Sequence, residues 1–374
     1  MKNDWIRYIM CILLATAGCK EKFDPPVVKA NHNFLVVDGF LNSGGDSSFI
    51  TLTRTRNLGD TISSIPELNA AIQLESSGTS IDIAQNMGGG RFVFPSLNLS
   101  TANPYRLRIV TFDGKQYMSD EMTVKTTPPI DSVNYTYNDK GVTIYVNTHD
   151  PSNNTRYYRW DYDETWEYHA PYYSEIIYTG AGNPPYVYRT TDELIFACYR
   201  TRNSHKIFLG SSAGLQNDVI FQSPLQFIAR RTEEISVRYS INVRQYALTK
   251  EAAAYWANLK KTTEQLGSIF DAQPSQLKGN LRNVADTSEP VLGFMSISTV
   301  QSKRIFIRRG EVGEWTYGDF CPSWEITPDS FDIYFNRYHY EAITPKGRSN
   351  LQGAPAACVD CRTSGGTLTK PDFW

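Results

Sequence analysis

The sequence predicts a mainly β protein of two β-sandwich-like domains, the second larger and interrupted by one amphipathic helix at about 249–270. Short apolar stretches recur along the chain with turn chemistry between them, the pattern of sandwich strands rather than of an α/β sheet. Aromatic residues are dense, with 23 Tyr, 18 Phe and 7 Trp, and Tyr together with Thr and Val suits half-buried pleated surfaces. Only one segment repeats apolar residues at helical spacing. The 374 residues suit two to three domains and are enough to bury a sizeable core.

The first domain is placed at residues 31–127. Its strands are predicted at Phe34–Val37, Phe49–Leu52, Ala71–Leu74, Phe92–Phe94 and Tyr105–Val110, separated by Asn42-Ser-Gly-Gly45, Gly88-Gly-Gly90 and Asp113-Gly114. In the last of these strands Leu107 and Ile109 alternate with Arg106 and Arg108, so one face is buried and the other solvated.

Thr127-Pro128-Pro129 marks the boundary, since consecutive prolines favour extended chain. The second domain is placed at 128–374. Val142–Val146 reads as a strand. In the longer stretch from Arg156 to Tyr168, Tyr158, Trp160, Tyr162, Trp166 and Tyr168 share one parity and Arg159, Asp161, Asp163 and Glu167 the other. That predicts an aromatic inner face and a charged outer one. Thr249 is the predicted N-cap of the helix, with Glu251 in its first turn. Ala252, Trp256, Leu259, Thr263 and Leu266 form its narrow apolar face, and Gly267 and Pro274 end it. Val291–Ile297 and Arg304–Ile307 read as further strands.

The N-terminus carries a targeting signal at residues 1–18. Lys2 and Arg7 precede a short apolar core, Tyr8–Ala15, and Thr16-Ala17-Gly18 leads into Cys19. This core is too short to span a bilayer and has the flanks of a secretory signal. A cysteine after Ala-Gly resembles the lipobox of bacterial lipoproteins, which implies acylation of Cys19 and attachment of the body to a membrane. Residues 19–30, with Lys20-Glu-Lys-Phe-Asp-Pro-Pro26 polar and stiffened by proline, read as a tether. No other apolar run is long enough to span a membrane. Lys and Arg total 37 against 39 Asp and Glu. That balance gives no electrostatic ground for a nucleic-acid partner.

Cys198, Cys321, Cys358 and Cys361 remain beyond the leader. In an exported chain they are disulfide candidates with three possible pairings. A redox reading of Cys358-Val-Asp-Cys361 lacks a βαβ context, and a zinc reading lacks a second close pair.

The helix block Val243–Gln276, the stretch Arg159-Trp-Asp-Tyr-Asp-Glu-Thr-Trp166 and the ending Cys358–Trp374 resemble a domain-of-unknown-function lipoprotein family of Bacteroidota. The resemblance implies an outer-membrane lipoprotein, commonly encoded beside TonB-dependent receptors, and brings no catalytic residues with it.

Candidate chemistry is sparse. Gly210-Ser-Ser-Ala-Gly214 fits G-x-S-x-G with Ser212 as nucleophile, but the following sequence is poor helix and predicts a turn between strands. His32, His149, His169, His205 and His339 lack metal-ligand spacing. Asp161, Asp163 and Glu164 read as a solvated strand face rather than a calcium loop. No cofactor motif is present. Tyr172, Tyr173, Tyr178, Tyr186 and Tyr188, broken up by Gly180, Gly182, Pro184 and Pro185, form the candidate contact surface, because exposed rings stack on sugars or build protein interfaces. The expected function is a non-enzymatic outer-membrane lipoprotein accessory to a TonB-dependent transporter. A glycan-binding module is the alternative, and a serine hydrolase built on Ser212 comes last.

Overall fold

The computed structural model describes residues 33–56, 64–264, 278–318 and 320–374. It is mainly β, as predicted, and contains two sandwiches with separate cores.

In the first sandwich, Leu35–Gly39, Ser48–Arg54, Arg91–Phe94 and Gln85–Gly88 lie side by side, with Ile65–Pro66 paired to Ser48–Arg54. The facing sheet is centred on Pro104–Val110, flanked by Gln116–Ser119, Met122–Lys125 and Ala71–Ser76, with Thr79–Ile83 outermost. Alternation sorts the side chains. Leu107 and Ile109 are fully buried among Leu35, Ile50, Leu52, Ile72 and Phe94, while Arg106 and Arg108 stay partly exposed.

The second domain does not hold the whole of 128–374. Leu281–Asn283 pairs with Gln116–Ser119, and Ile297–Ser298 runs parallel to both Leu41–Asn42 and Met122–Lys125. Leu281, Val291, Met295 and Ile297 are buried in the first core. The chain thus leaves the second sandwich, completes the first and returns. The predicted strand Val291–Ile297 is mostly irregular. Gly293 adopts φ +127, and a Cβ there would collide with the Val37 carbonyl. This close approach between backbones bends the segment.

In the second sandwich, Ile130–Asn138, Gly141–His149 and Val219–Ala229 form one sheet. Ala197–Asn203, Tyr157–His169, Arg238–Ala247 and Val300–Arg308 form the other, with Phe208–Ser211 added to Tyr157–His169. Tyr158, Trp160, Tyr162, Trp166 and Tyr168 all face inward and are at most 4% exposed. Glu164 shares their parity and is buried too, which corrects its assignment to the solvated face.

The helix spans Lys250–Glu264, capped by Thr249, whose Oγ1 accepts the Ala252 N–H at 3.2 Å. Of the predicted apolar face, Ala252 is buried, Trp256 and Leu259 are half-buried and Thr263 is exposed. Arg159 lies 4.3 Å from the Trp256 ring centre and ties the helix to the sheet. Leu266, Gly267 and Pro274 lie outside the described residues. No helix among the described residues is long and apolar enough to cross a membrane.

A third, smaller unit follows. Trp324–Ile326, Asn350–Pro355 and Tyr340–Lys346 form a sheet, next to a π-helical turn at Asp332–Arg337. The hairpin Ile176–Tyr178/Tyr186–Tyr188 packs against them over Ile176, Ile326, Phe331, Phe335 and Leu351.

Candidate contact surface

The cysteines decide how this small unit is held. Cys198 pairs with Cys361, and Cys321 with Cys358, so the closely spaced Cys358 and Cys361 belong to different bridges. One bridge ties the C-terminal segment to the strand Ala197–Asn203, and the other ties two parts of the unit together. Arg189 reinforces the junction. Its Nε donates to Ser174 Oγ at 2.9 Å and its Nη2 to Glu341 Oε2 at 3.1 Å, with only 7% of the side chain exposed. Burial pushes the Glu341 carboxyl above its usual range, although Arg189 opposes the shift.

The predicted contact tyrosines do not share one fate. Tyr172 is half-buried and donates its hydroxyl to the Cys321 carbonyl at 2.7 Å. Tyr178 stacks on Phe335 with ring centres 4.5 Å apart, inside the small core. Tyr186 packs against that core and meets Tyr188 edge-on at 90°. Only Tyr173 and Tyr188 are well exposed. The tract therefore offers no coplanar platform, because Tyr172, Tyr178 and Tyr186 are spent on packing.

A different ring series surfaces nearby. Trp324, Tyr340, Tyr334 and Tyr338 follow one another with ring centres 5.6, 5.2 and 6.1 Å apart. The two ends, Trp324 and Tyr338, are 41% and 58% exposed. The sequence held a partial signal for this series. Tyr334 and Tyr338 stand four apart and Tyr338 and Tyr340 two apart, but the change from helical turn to strand hides that these spacings describe one surface.

Two clefts flank the sandwiches. One of about 660 Å³ between the helix and the first sandwich is lined by Lys125, Glu251, Tyr255, Asn280 and Phe294. Another of about 620 Å³ beside Cys321 and Cys361 is lined by Tyr168, His169, Glu233 and Tyr317.

The remaining candidates are absorbed by structure. Ser212 is fully buried in a turn between two strands, Phe208–Ser211 and Val219–Ala229, and donates its hydroxyl to Asp218. Asp218 also accepts the Tyr158 hydroxyl at 2.9 Å. This is not the strand-to-helix elbow a nucleophilic serine requires. Asp161 and Asp163 are bridged by Arg244, and Asp163 also meets Arg304 at 2.9 Å, so guanidinium groups occupy both carboxylates. Among the described residues, no three His, Cys, Asp or Glu side chains are grouped to hold a metal. Cys19 lies outside the described residues.

The model of a domain of unknown function, DUF4249, matches residues 20–304. The chain belongs to this family. The family match covers the first sandwich and most of the second, ending within the strand Val300–Arg308 and before the ring series at 324–340. No curated protein matches. Among solved structures, a two fibronectin type-III domain segment from chicken tenascin is similar at 12% identity, over 58% of this chain and 92% of that one, with a TM-score of 0.16.

Proposed function

We propose that this DUF4249 protein is a non-enzymatic lipoprotein of the outer membrane, held by Cys19 and accessory to a TonB-dependent transporter in ligand capture or uptake. The observation that carries the reading is the leader that ends in Ala17-Gly18-Cys19, directly ahead of a body whose first strand begins at Leu35. Its likeness to lipoproteins of Bacteroidota encoded beside such receptors supports the choice of partner.

The test is affinity purification of the tagged protein from detergent-solubilised outer membranes, with identification of co-purifying proteins. Recovery of one TonB-dependent receptor in equal amount is the expected result. Recovery of the intact protein alone refutes the accessory role.

A second reading, a glycan-binding module, draws on the series Trp324–Tyr340–Tyr334–Tyr338, since sugar rings stack on exposed aromatic faces. A glycan array probed with the protein and with Trp324→Ala tests it. Binding lost in the variant favours this reading, and no binding by either protein removes it.

A further inference from the structure

One end of the first sandwich carries exposed apolar side chains, and strand register shows that it is the end where the chain arrives from Cys19. Leu35 pairs with Arg54, Arg54 with Ile65 and Thr53 with Pro66. Asn86 Nδ2 donates to the Leu68 carbonyl at 2.7 Å. The tip Gly88–Gly90 closes on the same end, where a Cβ on Gly90 would lie 2.5 Å from the Leu52 carbonyl oxygen and 3.0 Å from Pro66 Cβ. Around this tip, Met87 is 63%, Ile83 60%, Leu68 49% and Ile65 36% exposed.

The exposure follows from how the chain crosses the sandwich. Thr79–Ile83 is the outermost strand of one sheet and Gln85–Gly88 the outermost of the other. Register shifts at Ile81 and at Met87 interrupt the pairing along this path, and Ile81, Ile83 and Met87 are all exposed. Edge strands are usually guarded by lysine, proline or inward charges. From Thr79 to Gly88 the only charge is Asp82, whose carboxylate accepts the Ile83 N–H at 2.8 Å. Nearby Glu67 is neutralised by Arg54 at 2.7 Å, with both side chains largely buried. The patch is therefore apolar and close to neutral.

We propose that Ile65, Leu68, Ile83 and Met87 rest on the lipid surface to which Cys19 fixes the chain. The inference rests on the lipid-anchor reading. The fifteen residues from Cys19 to Asn33 reach at most about 50 Å when fully extended, and they join the body at the end bearing the patch. Interfacial binding scales with apolar area plus attraction of basic groups to anionic lipid. The edge from Thr79 to Gly88 brings no basic side chain of its own, so preferential contact at Ile83 and Met87 is set by their apolar area rather than by lipid charge. A partner strand on the same edge is the competing occupant.

The test uses the chain from Lys20 with an N-terminal hexahistidine tag. It is bound to phosphatidylethanolamine–phosphatidylglycerol vesicles that contain a nickel-chelating lipid. Ile83→Cys, Met87→Cys and, as a distant exposed control, Phe227→Cys are labelled with an environment-sensitive fluorophore, with both native disulfides verified by mass. Quenching by nitroxide lipid several-fold stronger at 83 and 87 than at 227, and unchanged by the phosphatidylglycerol fraction, is expected. Equal quenching at all three sites overturns the proposal and leaves a protein partner for the patch. Because the tag replaces the acyl group, the result stands apart from the lipidation test, which is whether Cys19→Ala releases the protein from membranes.

Discussion

Tyr239 donates its hydroxyl to the Glu164 carboxylate over 2.7 Å in the interior of the second sandwich, where neither residue is more than 1% exposed. Glu164 also accepts Arg202 Nε at 2.7 Å. Arg202 in turn reaches Glu234 at 3.1 Å and lies over the Trp166 ring. A buried carboxylate needs such partners to remain charged. Burial first, and the neighbouring Glu164 second, hold the Tyr239 phenol well above its usual range, so it stays a donor. Tyr239→Phe removes that donor while leaving Arg202 in place. The expected loss is about 1–3 kcal/mol, read as a lower urea midpoint at unchanged slope. An unshifted midpoint would mean that Arg202 and Gln226 satisfy the carboxylate without it.

Gly210 lies against the Trp160 ring so closely that a Cβ would collide with it. Trp160 cannot easily move, because it is 1% exposed and its Nε1 donates to Gln245 at 2.8 Å. Gly210→Ala is expected to destabilise the sandwich by about 1–3 kcal/mol, the usual cost of overpacking. Gly214→Ala, with open space around its Cβ position, serves as the control in the same thermal melts.

The bridge Cys198–Cys361 closes a separation of 163 residues. Removing it as Cys198→Ala/Cys361→Ala is expected to cost about 2–5 kcal/mol and to leave the C-terminal unit more open to protease. Non-reducing peptide mapping of the unaltered protein gives the direct check. A peptide joining Cys358 to Cys361 would contradict the pairing.

Asp150 accepts the N–H groups of Ser152, Asn154 and Thr155 at 2.8 to 3.0 Å, and the Ser152 hydroxyl at 2.6 Å. Burial alone would raise its carboxyl, but the hydrogen bonds from Ser152 and Thr155 outweigh it and hold the group below its usual range. Between the folded and unfolded values the unfolded chain binds more protons, so stability rises with pH there. The contribution is whole above the ordinary aspartate range near about 4 and is lost as pH falls through the folded value. Asp150→Ala should flatten this acid limb in melts recorded from neutral to acidic pH. A limb of unchanged steepness would show that other carboxylates set it.

Much of the fold was legible locally. Alternation in Tyr105–Val110 and in Tyr157–His169 told which side chains face inward, because a strand's period of two leaves few alternatives when one face is buried. Glu164 escaped that logic. It sits on the inner parity with the aromatics, but residue type argued for solvent, and only Tyr239, Arg202 and Gln226, distant in sequence, make its burial tolerable. Among the contact tyrosines, the alternation of the hairpin Ile176–Tyr178/Tyr186–Tyr188 was masked by its glycines and prolines. The sequence there did not reveal that Tyr178 is spent on packing against Phe335.

By itself the sequence determined the β class, the inward face of the aromatic strand and the Thr249 cap, all set by neighbours within a few residues. Tertiary structure alone decided that Leu281–Ser298 closes the first sandwich, that Cys358 and Cys361 take different partners, and that Trp324 and Tyr338 end one exposed ring series. Those are pairings between segments far apart along the chain. Local propensity and periodicity constrain what each segment can offer, but its partner is selected by the shape and burial of the assembled cores.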